Sequence, residues 1–233
     1  MRFEVLGRLA VLQDGHARPL GPHKQRLLLA VLLARAGSEV PTEELIDALW
    51  GTAPPASAVN NLYLYVNRLR RTLGDDRLPG RPRSGYLVDV QPDELDERLF
   101  TNLARAGQEA LDAGEAARYL REALALWRGD PYEDLAGEPA LHGEVTRLNE
   151  LRLTVTEQRI EADLRLERCA DLVSELVELV DRYPLRERFT AQLMRALYHS
   201  GRQADALAVY RAFLDPGPEL RALEAAIRTG SVP

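Results

Sequence analysis

One stretch of the chain, SAVNNLYLYVNRLRRTL at residues 57–73, separates polar from apolar residues around a predicted helix. At about 100° per residue, Leu62, Val66, Leu69 and Leu73 form one apolar stripe that faces a core. The opposite side carries asparagines and arginines but no carboxylate. A solvated helix face commonly mixes acidic with basic residues, because such pairs add a few tenths of a kcal/mol. The acid-free face therefore indicates a polyanionic partner.

The residue types on this face match the edges of DNA bases. Asparagine can pair bidentately with adenine, arginine can pair with guanine, and an exposed leucine can contact a thymine methyl. Tyr63 and Tyr65 flank the face and fit the interface or the rim of the core equally well. We therefore predict a DNA recognition helix whose base-reading side chains are Asn60, Asn61, Leu64, Asn67, Arg68 and Arg71.

A second set of cations is placed to contact the phosphate backbone. Lys24 and Arg26 open a predicted helix, where backbone amides and basic side chains can hold phosphate; an ordinary helix start is the alternative. Arg70 lies at the edge of the buried stripe, so we expect its stem to pack and its guanidinium to reach a phosphate. Arg81 and Arg83 lie in a predicted hairpin, and we expect them to reach the adjoining minor groove or its phosphates.

The elements around the recognition helix predict a winged helix. Residues 2–20 contain strand-like runs around the turn Asp14-Gly15, which is a strong hairpin signal. The segments HKQRLLLAVLLARAG and TEELIDALW predict two helices, each closed by a glycine. After the third helix, RPRSGYLVDV predicts the second half of a hairpin. These elements make a winged helix-turn-helix, whose boundary we place at Pro92.

The chain after residue 92 is predicted to be helical, because its apolar residues recur at spacings of three and four. Pro184 and Pro218 are 34 residues apart, the length of a tetratricopeptide unit, and small or apolar residues fill matching positions before them. The expected fold class is mainly α with a small β part. It comprises a winged helix-turn-helix at residues 1–92, followed by an all-α, tetratricopeptide-like helical repeat domain at residues 93–233.

The charge is divided unequally between these halves. The net charge is -6, but residues 1–91 carry 12 Lys/Arg and 9 Asp/Glu, a net +3, and the remainder carries 18 and 27, a net -9. The mild basicity of the first part suits phosphate contact. The acidic second part would be repelled by DNA and suits contact with proteins.

Motifs and composition argue against catalysis, metal binding and a membrane. The histidines are scattered, and the sequence has no phosphate-cradling glycine loop and no G-x-S-x-G or H-E-x-x-H motif. A single cysteine, Cys169, allows no intramolecular disulfide, and no Cys/His set has zinc-like spacing. No run approaches the roughly 20 apolar residues of a membrane-spanning helix, and the N-terminal apolar run is too short for a signal peptide. We expect a cytoplasmic protein that is not an enzyme and uses no cofactor or metal.

Several stretches resemble one known family: GPHKQRLLLAVLLARAG, the run at residues 45–74, ALALWRGDPYEDL and LMRALYHSGRQADALAVYR. They are similar, in order and across nearly the whole chain, to the Streptomyces antibiotic regulatory protein (SARP) family of transcriptional activators. The resemblance implies an OmpR-like winged-helix DNA-binding domain and a bacterial transcriptional activation domain of tetratricopeptide type. It also implies an actinomycete activator of a secondary-metabolite (antibiotic) gene cluster, which binds direct repeats near the promoter -35 region and recruits RNA polymerase.

The expected partners are double-stranded promoter DNA, the RNA polymerase holoenzyme and a second copy of the chain, as a homodimer or a side-by-side pair on DNA. An alternative of another class is a tetratricopeptide-type protein-interaction adaptor whose winged helix binds protein rather than DNA. Salt dependence separates the two, because phosphate contact makes the affinity for duplex DNA fall steeply with salt.

Overall fold

The computed structural model describes residues 1–81 and 84–231. It confirms the expected fold class, in which helices dominate and short strands form small sheets. The chain divides into two compact units. The first combines Met1–Leu103 with Ala123–Arg152, and the second combines Ala104–Glu122 with the chain from Leu153 onward.

The first unit begins with an antiparallel sheet in the order β1-β2-β3, in which Phe3 pairs with Val11 and Gln13 pairs with His16. Asp14 and Gly15 join β2 to β3 with positive φ values of 52° and 78°, as the predicted Asp-Gly hairpin requires. The strands are β1 (Arg2–Glu4), β2 (Ala10–Gln13) and β3 (His16–Ala17).

A winged helix follows this sheet, as the sequence predicts. Helix α1 is buried on most sides, and α2 and α3 pack against it through apolar stripes that include Leu45 and Leu62. Strand β6 lies between β4 and β5 in a second antiparallel sheet. The elements are α1 (His23–Ala34), β4 (Val40–Pro41), α2 (Thr42–Trp50), α3 (Ala58–Leu73), β5 (Gly80–Arg81) and β6 (Gly85–Tyr86).

The first compact unit extends beyond the predicted boundary at Pro92. The amides of Val5 and Leu6 donate to the carboxylate of Asp96, and the carbonyls of the same two residues accept hydrogen bonds from the amides of Tyr132 and Arg128, at 3.0 and 2.8 Å. The N-terminal segment therefore satisfies its backbone with residues far along the chain. Helical periodicity does not reveal such long-range hydrogen bonds, so the compact units do not have to coincide with the two predicted domains, whose boundary at Pro92 stays a prediction.

The remaining helices confirm the prediction that the chain after residue 92 is helical. Helices α7 to α10 pack in succession, and Leu176, Phe189, Leu193 and Ile227 lie in their shared core. The succession of packed helices accords with the predicted helical repeat. The helices are α4 (Asp96–Glu109), α5 (Ala113–Leu124), α6 (His142–Arg165), α7 (Cys169–Arg182), α8 (Glu187–His199), α9 (Gln203–Ala212) and α10 (Pro218–Thr229).

Candidate nucleic-acid interface

Helix α3 is amphipathic in the way its sequence predicts. Leu62, Val66 and Leu69 are buried, whereas Arg68 and Arg71 are exposed. The helix contains no acidic residue, and within the described part of the chain neither arginine forms an ion pair. The guanidinium groups of this face are therefore available to an anionic partner.

The amides on this face differ in what they contact. The side-chain amide of Asn61 donates to Ser57 Oγ at 3.1 Å, so it is engaged at the start of the helix. Asn60 is exposed and Asn67 is half-buried, and among the described residues neither side chain has a hydrogen-bond partner. Base reading by Asn61 stays a prediction, and it would require the bond to Ser57 to be exchanged for one to a base.

An aromatic pair positions α3 against α2. The rings of Trp50 and Tyr65 stack with centroids 6.3 Å apart and planes 21° apart. Lys24 Nζ donates to the carbonyl oxygen of Leu49, in the last turn of α2, and lies 5.6 Å from the centroid of the Trp50 ring. A cation at the C-terminus of a helix is favourable, because the carbonyl groups there are negative and unpaired. Tyr65 is therefore a core-rim residue. Lys24 has partners inside the protein, and its contact with phosphate stays a prediction.

Arg26 also has a protein partner. The sequence places it with the phosphate-binding residues, but its Nε lies 3.1 Å from a carboxylate oxygen of Asp134, whose side chain is only 8% exposed. A guanidinium held by a buried carboxylate is less available to phosphate than the exposed arginines of α3. Asp134 is more than 100 residues away in sequence, so no local pattern could have predicted the pair.

Arg70 connects α3 to the hairpin. Its Nε donates to the carbonyl oxygen of Leu78 at 3.0 Å, and its guanidinium carbon lies 5.8 Å from the centroid of the Tyr86 ring. Tyr86 is buried on β6, and burial raises the pKa of its hydroxyl although Arg70 opposes the shift. The stem of Arg70 packs as predicted, but the structure shows its head group against protein atoms. These contacts connect the helix to the hairpin, and phosphate binding by Arg70 stays a prediction.

The hairpin has the geometry of a wing. Gly80 pairs with Tyr86, and Val40 of β4 pairs with Tyr86 on the other side. Gly85 has a φ of +155°, and a Cβ atom there would collide with the carbonyl oxygen of Val40, so glycine is required. Of the predicted wing cations, Arg83 and the side chain of Arg81 lie outside the described residues.

Sequence reasoning missed Val59, whose side chain is 51% exposed near the start of α3. It was overlooked because an aliphatic residue beside the apolar stripe normally joins the core. Tyr63 lies one turn further along the helix and is 46% exposed, so its ring is on the solvent side of the helix and not in the core. Only the packing around the helix shows that these two side chains face solvent.

The three helices with their hairpin, together with the acid-free outer face of α3, define a winged-helix DNA-binding unit. The model of the family "Transcriptional regulatory protein, C terminal" matches residues 19–88, and that of the "Bacterial transcriptional activator domain" matches residues 95–228. Both matches follow the order in which the sequence predicts the two domains.

Similar proteins extend this result to the whole chain. It is 39% identical over 223 residues to the regulatory protein DnrI of Streptomyces peucetius, covering 90% of this chain and 82% of DnrI. It is 40% identical over 236 residues to the regulatory protein AfsR of Streptomyces griseus, covering 96% of this chain but 24% of AfsR. The chain belongs to the SARP family of transcriptional regulators, which is not an enzyme family.

A solved structure gives the same result for the fold. Mycobacterium tuberculosis EmbR, in complex with a low-affinity phosphopeptide, superimposes with a TM-score of 0.95 and 33% sequence identity. The match covers 100% of this chain and 66% of the EmbR chain. The chain thus spans about two thirds of EmbR and about a quarter of AfsR.

Two further findings concern residues 1–81 and 84–231. None of the helices there combines the length and apolar content needed to cross a bilayer. In the same residues, His, Cys, Asp and Glu side chains form no group of three that could hold a metal ion.

Proposed function

We propose that this protein is a sequence-specific DNA-binding transcriptional activator that places α3 in the major groove of promoter DNA. The observation that carries the proposal is the acid-free outer face of α3, where Arg68 and Arg71 are exposed and form no ion pair within the described residues. Two exposed arginines and exposed Asn60, on the same face of the helix, supply donors for both guanine and adenine edges. Membership of a transcriptional regulator family supports the same function.

The contacts of α3 fix how it would be presented to DNA. Trp50 holds the middle of the helix through Tyr65, and Arg70 holds its C-terminal half to the hairpin. A recognition helix locked by packing loses little conformational entropy on binding. The wing would then reach the adjoining minor groove or its phosphates through Arg81 and Arg83, as the sequence predicts.

The finer parts of the proposal follow the family. The chain acts in the cytoplasm on direct repeats near the -35 region of a secondary-metabolite (antibiotic) gene cluster. Two copies bind side by side, and the acidic region at residues 93–233 contacts the RNA polymerase holoenzyme, while residues 1–92 bind DNA. The opposite net charges of residues 1–91 and of the rest support this division, because only the first part is basic.

Footprinting of the promoters beside the chain's own gene tests the proposal. The purified protein should protect a repeated sequence, and Arg68→Ala with Arg71→Ala should abolish the protection. Arg211→Ala, which removes an exposed arginine of α9, is the matched control and should leave the footprint intact. No protection on any duplex, together with salt-insensitive capture of a protein, would replace the regulator with the adaptor.

A further inference from the structure

Helix α3 changes its chemistry along its length. In its first half, Val59, Tyr63 and Leu64 expose apolar side chains, with 51%, 46% and 51% of their surfaces accessible. The second half has no such residue on its surface, and Arg68 and Arg71 take that place. The exposed face thus has an apolar segment followed by a cationic one.

Exposed apolar side chains clustered on one face mark a binding surface. The surface that suits this cluster must also accept the neighbouring Asn60 and the arginines one to two turns further on. The major groove of DNA meets all of these demands, because an A·T pair presents a thymine methyl beside the adenine edge. A G·C pair presents two acceptors to arginine and no methyl group.

We infer that α3 recognises a two-part site, in which its first half reads A·T pairs and its second half reads G·C pairs. Leu64 contacts a thymine methyl and Asn60 contacts the adenine edge, while Arg68 and Arg71 contact guanines. This inference rests on the proposed function and adds the base composition and order of the site. Val59 and Tyr63, on the flank of the same half, add apolar contact beside Asn60.

Helix geometry also sets the spacing of the two parts. Leu64 and Arg71 are two turns apart on the same face, which is about 10 Å at a rise of about 1.5 Å per residue. With base pairs stacked about 3.4 Å apart, a helix lying along the groove separates the two contacts by about three base-pair steps. The DNA site contacted by one α3 helix should therefore have a thymine and a guanine about three base-pair steps apart.

The test begins with the full chain and a pool of random-sequence duplexes. Duplexes selected by the protein should carry A·T pairs about three steps from G·C pairs. One selected duplex is then remade with deoxyuridine for each thymidine in turn, a change that removes only the methyl group. Burying one methyl contributes about 0.8 kcal/mol, so uracil at the position that Leu64 contacts should weaken binding about fourfold.

Variants assign the contacts to side chains. Leu64→Ala should bind the thymine and uracil duplexes equally. The matched control Leu111→Ala, at a 95% exposed leucine between α4 and α5, should keep the fourfold difference. In the second part of the site, each guanine in turn is replaced by 7-deazaguanine, which lacks the N7 acceptor. At the guanine that Arg71 contacts, this change should weaken binding by the wild type but not by Arg71→Ala.

The possible failures are distinguishable. If the wild type selects a defined sequence but binds its thymine and uracil forms equally, the two-part inference is overturned and the proposed function stands. If Leu64→Ala keeps the full difference, another side chain contacts the methyl and the assignment is overturned. If no sequence is enriched and no duplex is bound, the proposed function fails as well.

Discussion

The guanidinium of Arg128 lies 2.6 Å from the carboxylate of Asp96, which is fully buried. The same carboxylate accepts the backbone amides of Val5 at 2.9 Å and Leu6 at 3.2 Å. A buried carboxylate is stable only when it is paired and hydrogen-bonded, and Asp96 has both kinds of partner. It joins the N-terminal segment to the start of α4 and to the residues that follow α5.

Replacing Asp96 should therefore destabilise the first compact unit. Asp96→Ala leaves two buried amides and a guanidinium without their acceptor, so we expect the free energy of unfolding to fall by about 3 kcal/mol. Asp93→Ala is the matched control, because Asp93 is exposed and, among the described residues, has no ion pair; it should change stability by less than about 0.5 kcal/mol. Urea unfolding followed by circular dichroism measures both, and equal effects would contradict the role of Asp96.

Glu94 should make stability depend on pH in the acidic range. Burial alone would raise the pKa of its carboxyl, but hydrogen bonds from the Arg77 guanidinium and the Gln91 amide lower it overall. A carboxyl with a lower pKa in the folded state adds stability that is present above its unfolded pKa of about 4.3. That stability is lost as the pH falls through the folded pKa.

Comparison with a neutral side chain isolates this contribution. Glu94→Gln should be less stable than the wild type at pH 6, and the difference should shrink as the pH falls through the lowered folded pKa of Glu94, because both side chains are neutral below it. Thermal unfolding at a series of pH values measures it. A difference that stays constant or grows on acidification would show that the Arg77 and Gln91 contacts do not favour the charged form.

If α3 reads bases, variants of its base-reading residues should discriminate less between operator and random DNA. Asn60→Ala and Arg68→Ala each remove a base-edge contact, and we expect specific binding to weaken by about 1 to 3 kcal/mol while binding to random DNA changes little. Arg211→Ala again serves as the control. Competition titrations of operator against random duplex measure the ratio of the two affinities. If that ratio is unchanged in both variants, these residues are not base-reading residues.

Arg70 should affect every DNA sequence about equally, because it holds the helix to the hairpin. Arg70→Ala removes the hydrogen bond to the Leu78 carbonyl and the packing over Tyr86. We expect a loss of about 1 to 2 kcal/mol in stability, together with uniform weakening on operator and random DNA. Thermal unfolding and binding titrations measure the two effects. A variant of normal stability that loses only operator binding would make Arg70 a base-reading residue.

The salt dependence of DNA binding should be moderate. Lys24, Arg26 and Arg70 contact protein atoms, so Arg81 and Arg83 remain as expected phosphate contacts, and the base-reading Arg68 and Arg71 add two further cations at the DNA surface. The slope of log affinity on log salt should then be about -2 to -4, despite the net charge of -6. Distant acidic residues are screened beyond about 8 to 10 Å and oppose binding weakly. A slope shallower than about -1 on the footprinted promoter would favour the protein-binding adaptor.

Local sequence determined the elements of this protein and the face of the recognition helix. Period-3.6 spacing in α3 identified Leu62, Val66 and Leu69 as buried, and the Asp14-Gly15 pair identified the first hairpin turn. Such signals are readable because they depend on residues a few positions apart. The same locality explains why the helical character of the second half of the chain could be predicted.

Tertiary structure decided which cations remain available and where the compact units end. Arg26 meets Asp134 and Lys24 meets Leu49, contacts that link segments 108 and 25 residues apart. Asp96 draws residues beyond Pro92 into the first unit in the same way. Pairing between distant residues depends on how the chain folds back on itself, and a pattern of neighbouring residues carries no record of it. A sequence can therefore specify a cationic face, while only the folded chain shows which of its charges already have a partner.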